Sequence, residues 1–224
     1  MKKNPITLAL VAFTASVSFL SIAGDSSVSD DIIEAQRAAL EANTDGKGFG
    51  PQAPRDIDLK PGENPMVFDT APVASEMNLC NIHFHENAEH KGGEFAEYAG
   101  NGDGHGYHSG YKYSGELTAA ELTATSEDIC PSDHGSLKPG ATIEVHYVHS
   151  SAQVNPGPTL GSCLSESIGN PQLRVEAQVF VLVNDEDALD FAELTAHNNT
   201  SGKHQALHIP NDTGDAVQYL GSTT

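Results

Sequence analysis

The chain has 224 residues, and its 31 Asp and Glu against 11 Lys and Arg give a formal charge of −20. An acidic surface of this kind repels nucleic acid and anionic lipid, which removes both from the expected partners. The length suffices for one domain with a core of its own.

The chain begins like a secretory leader: Lys2 and Lys3, an apolar run from Ile6 to Leu20, then Ser21-Ile22-Ala23 as an A-x-A-like cleavage site. The run is too short for a membrane span. The reading is therefore a leader over 1–23 and a single domain over 24–224, secreted or periplasmic, with no membrane insertion after leader removal. Loss of the two lysines takes the formal charge from −20 to −22. Residues Asp30 to Ala42 carry Ile33, Arg37 and Leu40 at helical spacing, with Ser29 as N-cap, and predict a peripheral helix. From Asn43 to Pro65 the chain is rich in Gly, Pro and Asp and predicts an irregular surface path.

The next segments carry the chemistry. Asn78 to Phe84 and Thr142 to His149 are short and rich in β-branched and aromatic residues, and both predict strands. Between them, Gly92 to Gly115 is too rich in Gly, His and Tyr to be a regular strand throughout. Arg174 to Val183 predicts a further strand, mostly buried at its end. Asp185 to Leu194 predicts a short helix, and the tail is loop-like with at most one strand. Few helices and several turn-bounded strands make a mainly β domain, α+β with few helices.

Three cysteines enter an oxidising compartment, so one disulfide and one leftover thiol are expected. If the two histidine strands are antiparallel neighbours, Cys80 and Cys163 fall near the same edge, which favours that pair and leaves Cys130 free. No C-x-x-C pair points to a cysteine metal site.

His83 and His85 are two apart and project from one face of their strand. His146, on a neighbouring strand, would complete three imidazole ligands and leave one position open, the arrangement of a catalytic rather than a structural zinc. A ligating imidazole needs its other N–H held by an acceptor. Asn81 stands two before His83 and Glu144 two before His146, each on its ligand's face. His149 is three from His146, faces away, and reads as structural. His90 is similarly bland; His105, His108 and His134 read as solvated loop residues, although a loop imidazole can carry protons near neutrality.

The pattern Asn81-x-His83-x-His85, Glu89-His90, Glu144-x-His146-x-x-His149 resembles a carbonic anhydrase site. The short gap before the Glu-His pair is most similar to the delta class; the α class has a longer one. The delta pattern often has Trp between the two histidines, where Phe84 keeps an aromatic. Gly50 to Asp58 (GPQAPRDID) is similar to a Gln-Ser-Pro-x-Asp-Ile stretch of the α class, and Tyr219 to Thr224 (YLGSTT) to its Tyr-Pro-Gly-Ser-Leu-Thr-Thr segment. The likeness spans about residues 35 to 224.

The resemblance implies a carbonic-anhydrase-like antiparallel or mixed sheet carrying a metal held by His83, His85 and His146. The cofactor it implies is zinc, with cobalt or cadmium as further possibilities because imidazole accepts several ions. It makes Asn81 and Glu144 the acceptors behind the ligands, Glu89 the partner of a gatekeeping threonine, Thr223 that threonine, and Val148 part of the carbon dioxide pocket. The implied reaction is reversible hydration of carbon dioxide to bicarbonate and a proton, by attack of a zinc-bound hydroxide. The family continues with further strands beyond that threonine. The expectation is therefore a chain truncated at its C-terminus or, alternatively, a misassigned Thr223.

Two rival readings stand beside this one. His83-x-His85-x3-Glu89 also fits the first metal motif of cupins, but their second motif needs Pro-x-Gly just before the last histidine, and Pro139-Gly140 lies too far upstream of His146. Glu89 would then touch the metal itself rather than a hydroxyl. The other rival is a secreted metal-binding protein without turnover; altered acceptors would favour it, and Asn81 and Glu144 are intact.

Overall fold

The computed structural model describes residues 27–45, 67–133, 135–214 and 216–221. The leader, the Gly50–Asp58 stretch, His134 and Thr223 lie outside the described residues.

The fold is mainly β, with antiparallel sheets and few helices. In chain order the described elements are α1 (Asp30–Thr44), β1 (Asn78–Glu86), β2 (Phe95–Asn101), β3 (Ser109–Tyr113), β4 (Ile129–Ser132), β5 (Gly135–Leu137), β6 (Thr142–Ser150), β7 (Leu173–Val181), α2 (Phe191–Leu194), β8 (His197–Thr200) and β9 (Lys203–Ala206). Three strands form the central sheet in the order β1-β6-β7, and the remaining pairs are hairpins. The predicted peripheral helix is α1, exposed along most of its length. Ser29 sits at its N-cap position, but its side chain makes no capping hydrogen bond.

Several elements differ from the sequence expectation. The helix expected over Asp185 to Leu194 shrinks to Phe191–Leu194, because Asp190 caps that single turn by accepting from the N–H groups of Ala192 and Glu193. The tail holds two strands rather than one, β8 and β9, paired as a hairpin. The β7 strand is half-buried rather than buried at its end, since it lies at one edge of the sheet. The Gly-rich segment folds into the β2–β3 hairpin. There Gly102 (φ +70°) and Gly110 (φ +97°) lie so close to the carbonyls of Tyr107 and Ala88 that a Cβ would collide.

The central strand decides the layering. All nine residues of β6 are buried, although five of them are polar or charged. One face carries Ile143, Val145 and Tyr147, which with Leu79 form the main core, packed by Phe84, Phe180 and Phe191. The Tyr147 hydroxyl donates to the carbonyl of Leu194 at 3.0 Å and ties α2 to this face. The opposite face carries Glu144, His146 and Val148. Buried polar groups need partners. Accordingly, the Thr142 hydroxyl accepts from Tyr113 N–H, and the Ser150 hydroxyl donates to Cys163 O.

β1 pairs with β6 in antiparallel register, His83 opposite His146 and Asn81 opposite Val148, with one extra residue, Cys80, between Leu79 and Asn81. This bulge puts Cys80 beside Asn81. Cys80 is joined to Cys163 across 83 residues of sequence, with 5.0 Å between Cα atoms, and Cys130 is free and exposed. Closing so long a loop removes roughly 4–5 kcal/mol of chain entropy from the unfolded state in the loop-closure account. Among the described residues, no helix is long and apolar enough to cross a membrane.

Tyr147 lies on the face away from the histidines, so its hydroxyl should matter for stability alone. Urea denaturation of Tyr147→Phe should show a loss of about 1 kcal/mol, the usual worth of one buried hydrogen bond. Altered metal content in that variant would contradict the separation of the two faces.

Candidate metal centre

His83, His85 and His146 converge. Residues directly opposite in an antiparallel pair share a face, so the register puts His146 beside His83, and the two-residue period adds His85. The ring centroids are 5.1 Å apart for His83–His85, 5.1 Å for His83–His146 and 4.8 Å for His85–His146. One nitrogen from each ring lies within 4.8 Å of the other two. The site is buried at His146 and open at His85, whose side chain is 40% exposed.

The neighbours fix the state of two rings. Asn81 Nδ2 donates to the carbonyl of Gly157 at 2.8 Å, so its Oδ1 is the atom facing His83 Nδ1 at 2.5 Å. His83 therefore carries its proton on Nδ1 and keeps the lone pair on Nε2. Glu144 Oε1 lies 3.2 Å from His146 Nε2, and its Oε2 accepts from the backbone N–H of Glu89 at 2.5 Å. A carboxylate only accepts, so His146 is protonated on Nε2 and its lone pair is on Nδ1. Two facing strands thus present complementary tautomers towards one point.

Charge follows the same logic. Burial, with the neighbouring His146 and His85 rings, lowers the His83 pKa from 6.5 to about 4, so the ring is neutral at pH 7. Burial of Glu144 would raise its carboxyl. The hydrogen bonds from His146 and Glu89 N–H, with the nearby His146 and His90 rings, outweigh this and hold it below the ordinary carboxylate value. An anionic Glu144 behind His146 makes that imidazole a better donor to a cation. This donor set suits a divalent ion of zinc type: three converging imidazoles, two with an acceptor at the other ring nitrogen, and a solvent-open side.

The other candidate residues that the structure describes lie as follows. Glu89 Oε1 is 3.8 Å from His85 Nε2, and Glu89 groups with His90 and Glu144 rather than with the three histidines. Both oxygens of Glu144 are engaged by His146 and Glu89 N–H, so the second cluster has no free carboxylate there. His90 stacks on Tyr219, with centroids 5.3 Å apart and planes 20° apart. Val148 is on the His146 face, fully buried against Cys80, Cys163 and Val154. His149 lies on the other face, fully buried, its pKa lowered chiefly by burial. His108 pairs with Glu86 at 3.0 Å in the β2–β3 region. Sequence reasoning missed Gly157; a backbone carbonyl supplied by a turn leaves no side-chain signal.

A family model of delta carbonic anhydrases matches residues 74–224, more than half of the chain. The match begins just before β1 and includes both histidine strands. Neither the curated proteins nor the solved structures gave a match. The chain belongs to the delta carbonic anhydrase family.

Proposed function

We propose that this protein hydrates carbon dioxide reversibly to bicarbonate and a proton, using a divalent ion, zinc in the first instance, held by His83, His85 and His146. The observation that carries the reading is the convergence of three imidazole nitrogens, one from each ring, at the mouth of a half-open site. When bound, such an ion lowers the pKa of a water to about 7 and so supplies a nucleophile at neutral pH.

The residues of the chain do the rest. Three neutral imidazoles leave the ion's charge undiminished, whereas carboxylate or thiolate ligands would reduce it. Asn81 holds the proton of His83 on Nδ1, and Glu144 holds that of His146 on Nε2, so neither ring can turn its lone pair away. Glu89 is proposed to accept a hydrogen bond from a hydroxyl that orients the nucleophile. Thr223 is the proposed hydroxyl; the stacking of Tyr219 on His90 supports this by bringing a nearby stretch of chain to the Glu89–His90 pair. Val148 is proposed as the apolar floor on which carbon dioxide rests. Export is proposed from the leader-like start, and the Cys80–Cys163 disulfide supports it.

The direct test combines metal analysis with a stopped-flow assay of carbon dioxide hydration. His83→Ala should lose both stoichiometric metal and turnover, and full metal content in that variant would defeat the ligand assignment. Glu144→Gln should still fold but bind metal about 10–100-fold more weakly, as expected when the acceptor behind a ligating histidine is weakened.

A pH dependence also follows. The folded pKa of His83 is about 4 against 6.5 unfolded, so the unfolded chain takes up this proton first as pH falls. The contribution of His83 to the stability of the metal-free protein should be fully present above pH 6.5 and decline towards pH 4. Denaturation of wild type and His83→Gln over that range should show a smaller decline in the variant. Equal slopes would contradict a neutral, desolvated His83.

A further inference from the structure

Residues 151–163 form a loop that supplies none of the three candidate ligands, yet it is fastened to β1 immediately beside Asn81. Gly157 N–H donates to Cys80 O at 3.0 Å, and Gly157 O accepts from Asn81 Nδ2 at 2.8 Å. The far end of the loop is held by the Cys80–Cys163 disulfide and by the Ser150 hydroxyl, which donates to Cys163 O at 2.7 Å. Its near end is held where Asn78 Nδ2 donates to Ala152 O at 3.0 Å. Val154 packs on the disulfide and Val148. The Cys80 bulge makes this possible, because the strand offers a staple and an amide at consecutive positions.

An asparagine amide is nearly symmetric in shape, and only its partners decide whether oxygen or nitrogen faces a neighbour. With Oδ1 towards His83, Nδ1 must carry the ring proton and Nε2 keeps its lone pair. With the amide turned over, the NH2 group would face Nδ1, and the favoured tautomer would place a proton on Nε2. A protonated Nε2 cannot bind a metal. Nothing on β1 itself makes this choice; the carbonyl of Gly157 does.

We infer that the 151–163 loop is the positioning element of the metal centre: Gly157 selects the orientation of Asn81, Asn81 selects the tautomer of His83, and the disulfide holds Gly157 in place. This rests on the reading of His83 as a ligand through Nε2. Gly157 is therefore a positioning residue, acting on the ion through two intermediates, Asn81 and His83.

Gly157 offers a selective perturbation. A Cβ there would run into the Ser162 side chain, so either that side chain or the loop must shift. In Gly157→Ala, zinc affinity measured against a chromophoric chelator should fall about tenfold or more, as for other changes to the groups behind a metal ligand. Nitrogen-15 NMR of the His83 ring in the metal-free protein should pass from one Nδ1–H tautomer to a mixture. Adding Ser162→Gly removes the obstruction and should restore both readings. The Cys80→Ala/Cys163→Ala pair should weaken zinc in the same way, and the Gly157 variants decide the matter if that pair does not fold. If wild type binds zinc but Gly157→Ala keeps full affinity and one tautomer, the loop has no positioning role. If Gly157→Ala binds less zinc only in proportion to its loss of folded protein, the role is merely structural and the inference is overturned. Failure of wild type to bind zinc at all would instead remove the metal reading on which it rests.

Discussion

The antiparallel register between β1 and β6 is the constraint on which the rest depends. With His83 opposite His146, the candidate ligands share a face, and both acceptors, Asn81 and Glu144, fall on that face as well. A slip of one residue would send His146 into the apolar layer and put Tyr147 or Val145 beside His83. Several features defend the register at once. Tyr147 anchors α2 on the back, Thr142 accepts from β3, and the disulfide pins β1 at its bulge.

The site is costly to build in a small β domain, because it buries polar groups on the central strand. Thr142, Glu144, His146, His149 and Ser150 are all withdrawn from water. Most of them are tied to named partners, and those partners come from several parts of the chain: Tyr113, Glu89, Cys163. Among these contacts, those to Glu144 also fix the acceptor behind His146, so the strand and the candidate site share part of one network. A buried anionic Glu144 is tolerated because Glu89 N–H and the His146 ring both donate to it, and its charge in turn suits a cation two bonds further on.

Much of the site was legible in the sequence. Spacing of two on a strand predicts a shared face, so His83 with His85, Asn81 with His83 and Glu144 with His146 could all be read directly. His149, three from His146, was correctly placed on the far face. What could not be read were contacts made by backbone or by long-range closure. The Gly157 carbonyl has no side chain to announce it, and the β4–β5 and β8–β9 hairpins arise from short polar runs with weak patterning. The single-turn helix at Phe191–Leu194 looked longer because acidic residues before it mimic a first turn, while the cap at Asp190 sets its true start.

The central claim is that three imidazoles from two paired strands converge on a single ion. X-ray absorption at the zinc edge, on the zinc-loaded protein, tests it most directly. The account expects a four-coordinate ion with three imidazole nitrogens at about 2.0–2.1 Å and one solvent oxygen. A carboxylate or thiolate in that shell, or fewer than three imidazoles, would contradict it.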